Sequence, residues 1–150
     1  MTETTTGTGL LVELHGTAHR LWPRHRASVP RIRQELVTVL GVCGYGELAD
    51  TVALLTTELV TNAVLHGRAA RGREIGVRYV LAQGVVRVEV SDACDALPVR
   101  GASDAVDAEC GRGLLLVDAL ADAWGVEARV HGIGKTVWFE LGAGARGRVR

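Results

Sequence analysis

The sequence predicts an α+β fold, a two-layer sandwich with helices on one face of a mixed, mostly antiparallel sheet. Three observations carry this. IGVRYVLAQGVVRVEVSD reads as two strands of alternating character joined by a tight turn at Gln83–Gly84. A second alternating pair, VEARVHG and KTVWFEL, comes late in the chain and is closed by Gly132–Gly134. Around these pairs lie three segments whose apolar residues recur at helical spacing.

The elements follow in order. A short strand near His19–Trp22 is ended or set at a sheet edge by Pro23. Ser28 then offers an N-cap, Pro30 suits a first turn, and Ile32, Leu36, Val37 and Leu40 trace a helix that stops at Gly41. From about Glu47, LADTVALLTTELVTNAVLH continues as a second helix until Gly67. The first strand pair follows. Residues 93–110 are small, acidic and unpatterned, which reads as a lid loop. GRGLLLVDALADAWG opens with two glycines and runs as an apolar helix to Gly125, before the closing strand pair.

The bulk composition bounds the possibilities. A chain of 150 residues, 47% hydrophobic and 23% charged, suits one globular domain over residues 10–142, with a tail at 1–9 and a basic tail at 143–150. Lys+Arg 17 against Asp+Glu 17 leaves no net charge and so no global electrostatic case for nucleic acid or an anionic membrane. Cys43, Cys94 and Cys110 form no CxxC pair and leave an odd one out, against a zinc site or disulfide framework and in favour of a cytoplasmic setting. MTETTTGTG lacks the parts of a signal peptide, and no unbroken apolar run approaches the ~18–20 residues of a membrane span.

Three constellations could carry chemistry. Glu58, Asn62 and His66 fall on one stripe of the second helix, four residues apart. A carboxylate there can orient or deprotonate a nucleophile, and an amide oxygen can ligate Mg2+, which needs few protein ligands when phosphates and waters fill the rest. For an isolated Glu-x-x-x-Asn, a solvated face is the better reading. Asp92 ends the strand VEVSD, where it could accept a hydrogen bond from an exocyclic amine or simply cap a turn. Gly111 and Gly113 precede an apolar helix, so bare N–H groups, the positive helix end and Arg112 could receive phosphates; a glycine-rich helix start with no ligand is about as good a reading. GIGKT is rejected as a phosphate loop, because the required earlier glycine falls on Arg129 and the stretch lies between strands.

Each signal is weak alone, but their order resembles the GHKL superfamily of ATPases, and specifically the small anti-sigma-factor serine kinases of the RsbW and SpoIIAB type. ELVTNAVLHG, GRGLLLVDALADAWG and GKTVWFEL carry the resemblance, over roughly residues 18–141. It implies a Bergerat fold holding ATP between helices and sheet beneath a mobile lid. It also implies that Glu58 is the catalytic carboxylate, Asn62 the Mg2+ ligand and Asp92 the partner of the adenine amine. Gly111, Arg112, Gly113 and Leu114 match the phosphate-binding segment, and Thr136 the threonine that assists adenine recognition. His66 takes a structural role at the helix end.

The implied activity is that of an ATP- and Mg2+-dependent anti-sigma factor that phosphorylates a serine on a STAS-type antagonist, working as a homodimer with the first helix in the contact. One departure bears on this. Where the family carries Asp-x-Gly, this chain reads Asp92-Ala93-Cys94-Asp95, and neither Ala nor Cys adopts positive φ as readily as Gly. A nucleotide-gated or nucleotide-independent binding module is therefore the alternative. A histidine-kinase catalytic half is poorer, as no helix bearing a phosphoacceptor His fits. DNA binding through Arg68, Arg71 and Arg73, or through Arg146, Arg148 and Arg150, has only those clusters in support.

Overall fold

The computed structural model describes residues 3–5, 11–13, 17–66, 74–92, 108–128 and 134–142. β1 (Glu3–Thr5) and β2 (Leu11–Glu13) pair antiparallel as a small sheet of their own, where the sequence suggested a tail through residue 9. There follow β3 (Thr17–Pro23), α1 (Ser28–Val42), a 3-10 turn Gly46–Leu48, α2 (Ala49–His66), β4 (Glu74–Ala82), β5 (Val85–Asp92), α3 (Ala108–Leu120), β6 (Ala123–Ala128) and β7 (Lys135–Gly142). The main sheet has the order β3-β4-β5-β7-β6, and all four of its pairings are antiparallel. β7 lies between β5 and β6, so those two run the same way with α3 in the connection between them. β3 is an edge strand, as Pro23 required.

Local chemistry sets the element ends, in places differently from the sequence reading. Gln83 and Gly84 both take positive φ, 53° and 77°, the backbone of a two-residue turn whose twist matches the flanking strands. α1 passes through Gly41 and closes one turn later, where Gly44 takes φ 85° and the Tyr45 N–H reaches the Leu40 carbonyl at 2.8 Å. That is a Schellman closure, which needs the left-handed residue one position past the helix. Ser28 does not cap α1. Its hydroxyl donates to the Pro23 carbonyl at 2.7 Å and ties the end of β3 to the start of the helix.

The third helix also ends early, at Leu120, because the chain is captured by β7. The Asp122 N–H donates to the Glu140 carbonyl at 2.9 Å, and the Gly142 N–H donates to Asp122 Oδ2 at 2.7 Å. Gly125 is accordingly a strand residue opposite Trp138, not a helix stop. An added Cβ there would lie 2.9 Å from three atoms of the Trp138 ring.

The core lies between the helices and one face of the sheet. Ile75, Val77, Tyr79 and Leu81 of β4, Val86, Val88 and Val90 of β5, and Val137, Phe139 and Leu141 of β7 alternate onto that face and are buried. α2 lies between α1 and α3 and packs on β4 and β5, burying Val52, Leu55, Leu59, Val60 and Ala63. By length and composition Gly46–Leu65 could cross a membrane, which a count of unbroken apolar runs does not register; half of its apolar window is buried inside this fold.

The opposite sheet face carries charge. Arg87 pairs with Glu89 at 2.9 Å and Glu140 at 3.0 Å, and its guanidinium sits 4.0 Å from the centre of the Trp138 ring. At the β3 edge a second polar cluster faces α1. Arg20 meets Glu35 at 2.6 Å and lies 4.1 Å from the centre of the Trp22 ring. Burial pushes the Glu35 carboxyl above its ordinary range, against the opposite pull of Arg20 and Arg31. Burial, with the Glu35 charge adding to it, likewise holds the Tyr79 phenol far above its usual range, so it stays un-ionised.

Candidate functional site

Chain direction brings the candidate residues to one end of the sandwich. α2 ends at His66 and the chain re-enters the sheet at Glu74, so the C-terminal half of α2 lies toward the start of β4. β5 runs antiparallel to β4 and finishes there, with Ser91 opposite Gly76 and Asp92 one residue further on. β7 starts at the same end, since Lys135 pairs with Asp92. α3 must also begin there, because it leads to Ala123, which pairs with Glu140 toward the far end of β7. Glu58, Asn62, Asp92 and the first turns of α3 thus share one end of the layer between helices and sheet.

Asp92 is the most informative of these. It continues the run Val86, Val88, Val90 on the helix-facing side of β5 and is only 5% exposed. The turn-cap reading open to the sequence loses ground, because the carboxylate stands on the core face of the strand and not in a solvated turn. Glu58 and Asn62 are half-buried on a shoulder of the apolar stripe of α2, which removes the fully solvated face that was their bland alternative. The side chain of His66 lies outside the described residues.

The other five expected ligand residues fall differently. Gly111, Arg112 and Gly113 lie within α3, whose first residue is Ala108, so they do not precede the helix, and the lid expected at 93–110 overlaps its first turn. Their side-chain surroundings, like residues 93–107, are outside the described residues. Leu114, expected among the phosphate-binding residues, is 2% exposed and belongs to the hydrophobic core, where the first inward turn of α3 must pack. Thr136 is opposite Ser91, and the two hydroxyls are 2.8 Å apart. Ser91 and Thr136 occupy the sheet face away from the helices, so Thr136 does not join Asp92.

The residue that does stand beside Asp92 is Lys135. Sequence reasoning missed it because β5 and β7 are separated by α3 and β6, and a register between non-sequential strands cannot be counted along the chain.

The chemistry of the donor set fits a nucleotide better than a protein-held metal. Among the described residues no group of three or more His, Cys, Asp or Glu is placed to hold an ion. Mg2+ fits only as an ion carried largely by phosphates and water, with Asn62 as a protein oxygen. A buried acceptor at a strand end and a helix start at the same end of the fold suit a base and its phosphates respectively.

A model of the histidine kinase-like ATPase domain matches residues 22–141. The chain belongs to that family. The match spans β3 to β7 and contains Glu58, Asn62, Asp92 and Lys135. No curated protein matches the chain. The family and the α+β sandwich together support nucleotide binding, in accord with the resemblance read from the sequence.

Proposed function

We propose that this histidine kinase-like ATPase domain is a nucleotide-dependent regulator in the cytoplasm, an anti-sigma factor that phosphorylates a serine on a STAS-type antagonist. The observation that carries the nucleotide part is the buried Asp92 carboxylate on the helix-facing side of β5, at the end of the fold shared with Asn62 and Glu58. Sequence motifs supply the regulatory part. ELVTNAVLHG and GRGLLLVDALADAWG resemble the small serine kinases more than the larger family members.

In this reading ATP is the substrate that supplies the γ-phosphoryl group. Asp92 accepts from the exocyclic amine of the base and fixes its orientation. Asn62 would offer its amide oxygen to Mg2+, which would neutralise phosphate charge, and the N–H groups at the start of α3 would receive the anionic phosphates. Glu58, one turn before Asn62, orients the incoming serine hydroxyl and takes its proton. A homodimer using α1 would supply the partner surface.

The departure Asp92-Ala93-Cys94-Asp95 favours a second reading, a nucleotide-gated binding module without turnover. Transfer of radiolabel from ATP to a candidate antagonist separates the two. Sustained transfer that drops on the order of 10²-fold or more in Glu58→Gln supports the kinase. Tight ATP binding without transfer to any antagonist would leave the binding module.

A further inference from the structure

We infer that Lys135, and not Thr136, is the strand residue that reads the base beside Asp92. The inference rests on the nucleotide-binding reading above and deepens it. Val137, Phe139 and Leu141 of β7 face the helices and are buried, while Thr136 bonds Ser91 on the other face. The side-chain period of a strand therefore returns Lys135 to the helix-facing side. There it lies directly opposite Asp92 in the antiparallel ladder, a placement that brings Cβ atoms to about 4.5–5.5 Å.

The chemistry of the pair is directional. An ionised carboxylate only accepts hydrogen bonds, and an ammonium only donates them. Side by side they complement a base edge that presents a donor next to an acceptor. Adenine does so with its N6 amine and ring N1. Asp92 accepts a hydrogen bond from the N6 amine, and Lys135 donates one to N1. A threonine hydroxyl, which donates or accepts, would leave that second position less strictly read. The lysine thus makes the site demand an acceptor at the N1 position.

ADP and 1-deaza-ADP, in which a C–H replaces ring N1, test this without turnover. Both are titrated by calorimetry into the wild-type chain, Lys135→Met, Thr136→Val and Asp92→Asn. The wild type should bind ADP on the order of tenfold more tightly than the deaza analogue, the worth of one hydrogen bond to a charged donor. Lys135→Met should bind ADP about tenfold more weakly and lose the discrimination, while Thr136→Val keeps both. Lys135→Arg, which retains the donor, should discriminate as the wild type does, and thermal melting confirms that each variant is folded. Equal wild-type affinity for the two nucleotides overturns the inference, as does discrimination that survives in Lys135→Met. If Asp92→Asn weakens ADP binding while Lys135→Met does not, only the lysine assignment fails. If the wild type binds neither nucleotide, or Asp92→Asn binds ADP unchanged, the nucleotide reading itself fails.

Discussion

Replacing Arg20 by methionine should destabilise the domain in a pH-dependent way. Arg20 is the 2.6 Å partner of Glu35 Oε2, while Oε1 is buried with no hydrogen-bond partner among the described residues. Methionine keeps the apolar stem but leaves a mostly buried carboxylate with neither oxygen paired. Breaking a fully buried pair costs about 3–5 kcal/mol. Side-chain exposures of 23% and 16% for Arg20 and Glu35 place this pair below that range, at about 2–3 kcal/mol. Loss of the guanidinium over Trp22 adds about 0.5–1 kcal/mol. At roughly 2–4 °C per kcal/mol, the midpoint should fall by about 5–15 °C at neutral pH.

The pH dependence has a definite sign. Glu35 already titrates above its ordinary value, so the stability linked to its protonation is fully present below that value and is lost as pH rises through the folded one. Arg20 pulls the value down, so its removal raises it further. The variant's deficit should therefore grow as pH rises through the window between the two folded values, and shrink on acidification toward the ordinary carboxylate range. Urea unfolding at several pH values measures this. A deficit independent of pH, or one below about 0.5 kcal/mol, would refute the reasoning. Arg20→Met combined with Glu35→Leu should recover most of the loss, since no charge is then stranded.

Other substitutions have equally direct outcomes. Gly125→Ala puts a methyl 2.9 Å from the Trp138 ring, and should cost about 1–3 kcal/mol in urea unfolding and alter the near-UV circular dichroism; an unchanged midpoint would show that the ring yields freely. Gln83→Asn keeps the 53° φ with a residue better suited to it, and should raise the melting temperature by up to a few degrees.

Much of this fold could be read from the chain because its determinants are local. Gln83–Gly84 flanked by alternating residues specifies the β4–β5 hairpin, and the spacing through ELVTNAVLH specifies α2 together with the shoulder that holds Glu58 and Asn62. The misplaced ends arise where one residue type supports several roles. Gly41 sits comfortably inside α1, where an added Cβ would meet nothing, and the positive φ that ends the helix falls on Gly44. Gly125 makes room for a neighbouring strand's tryptophan, a contact set by pairing across the sheet. Lys135 and not Thr136 stands opposite Asp92 for a related reason. Their faces follow from the alternation with Val137, Phe139 and Leu141, but the placement of Lys135 opposite Asp92 follows from the β5–β7 register, which no local pattern encodes.

Calorimetric titration of ATP with Mg2+ into the wild type and Asp92→Ala tests the nucleotide site most directly. A buried acceptor that meets the base should be worth at least ~1–3 kcal/mol, so a clear wild-type isotherm that weakens about tenfold or more in the variant is the expected result. A wild type that takes up no nucleotide, or a variant that binds as tightly as the wild type, would contradict it.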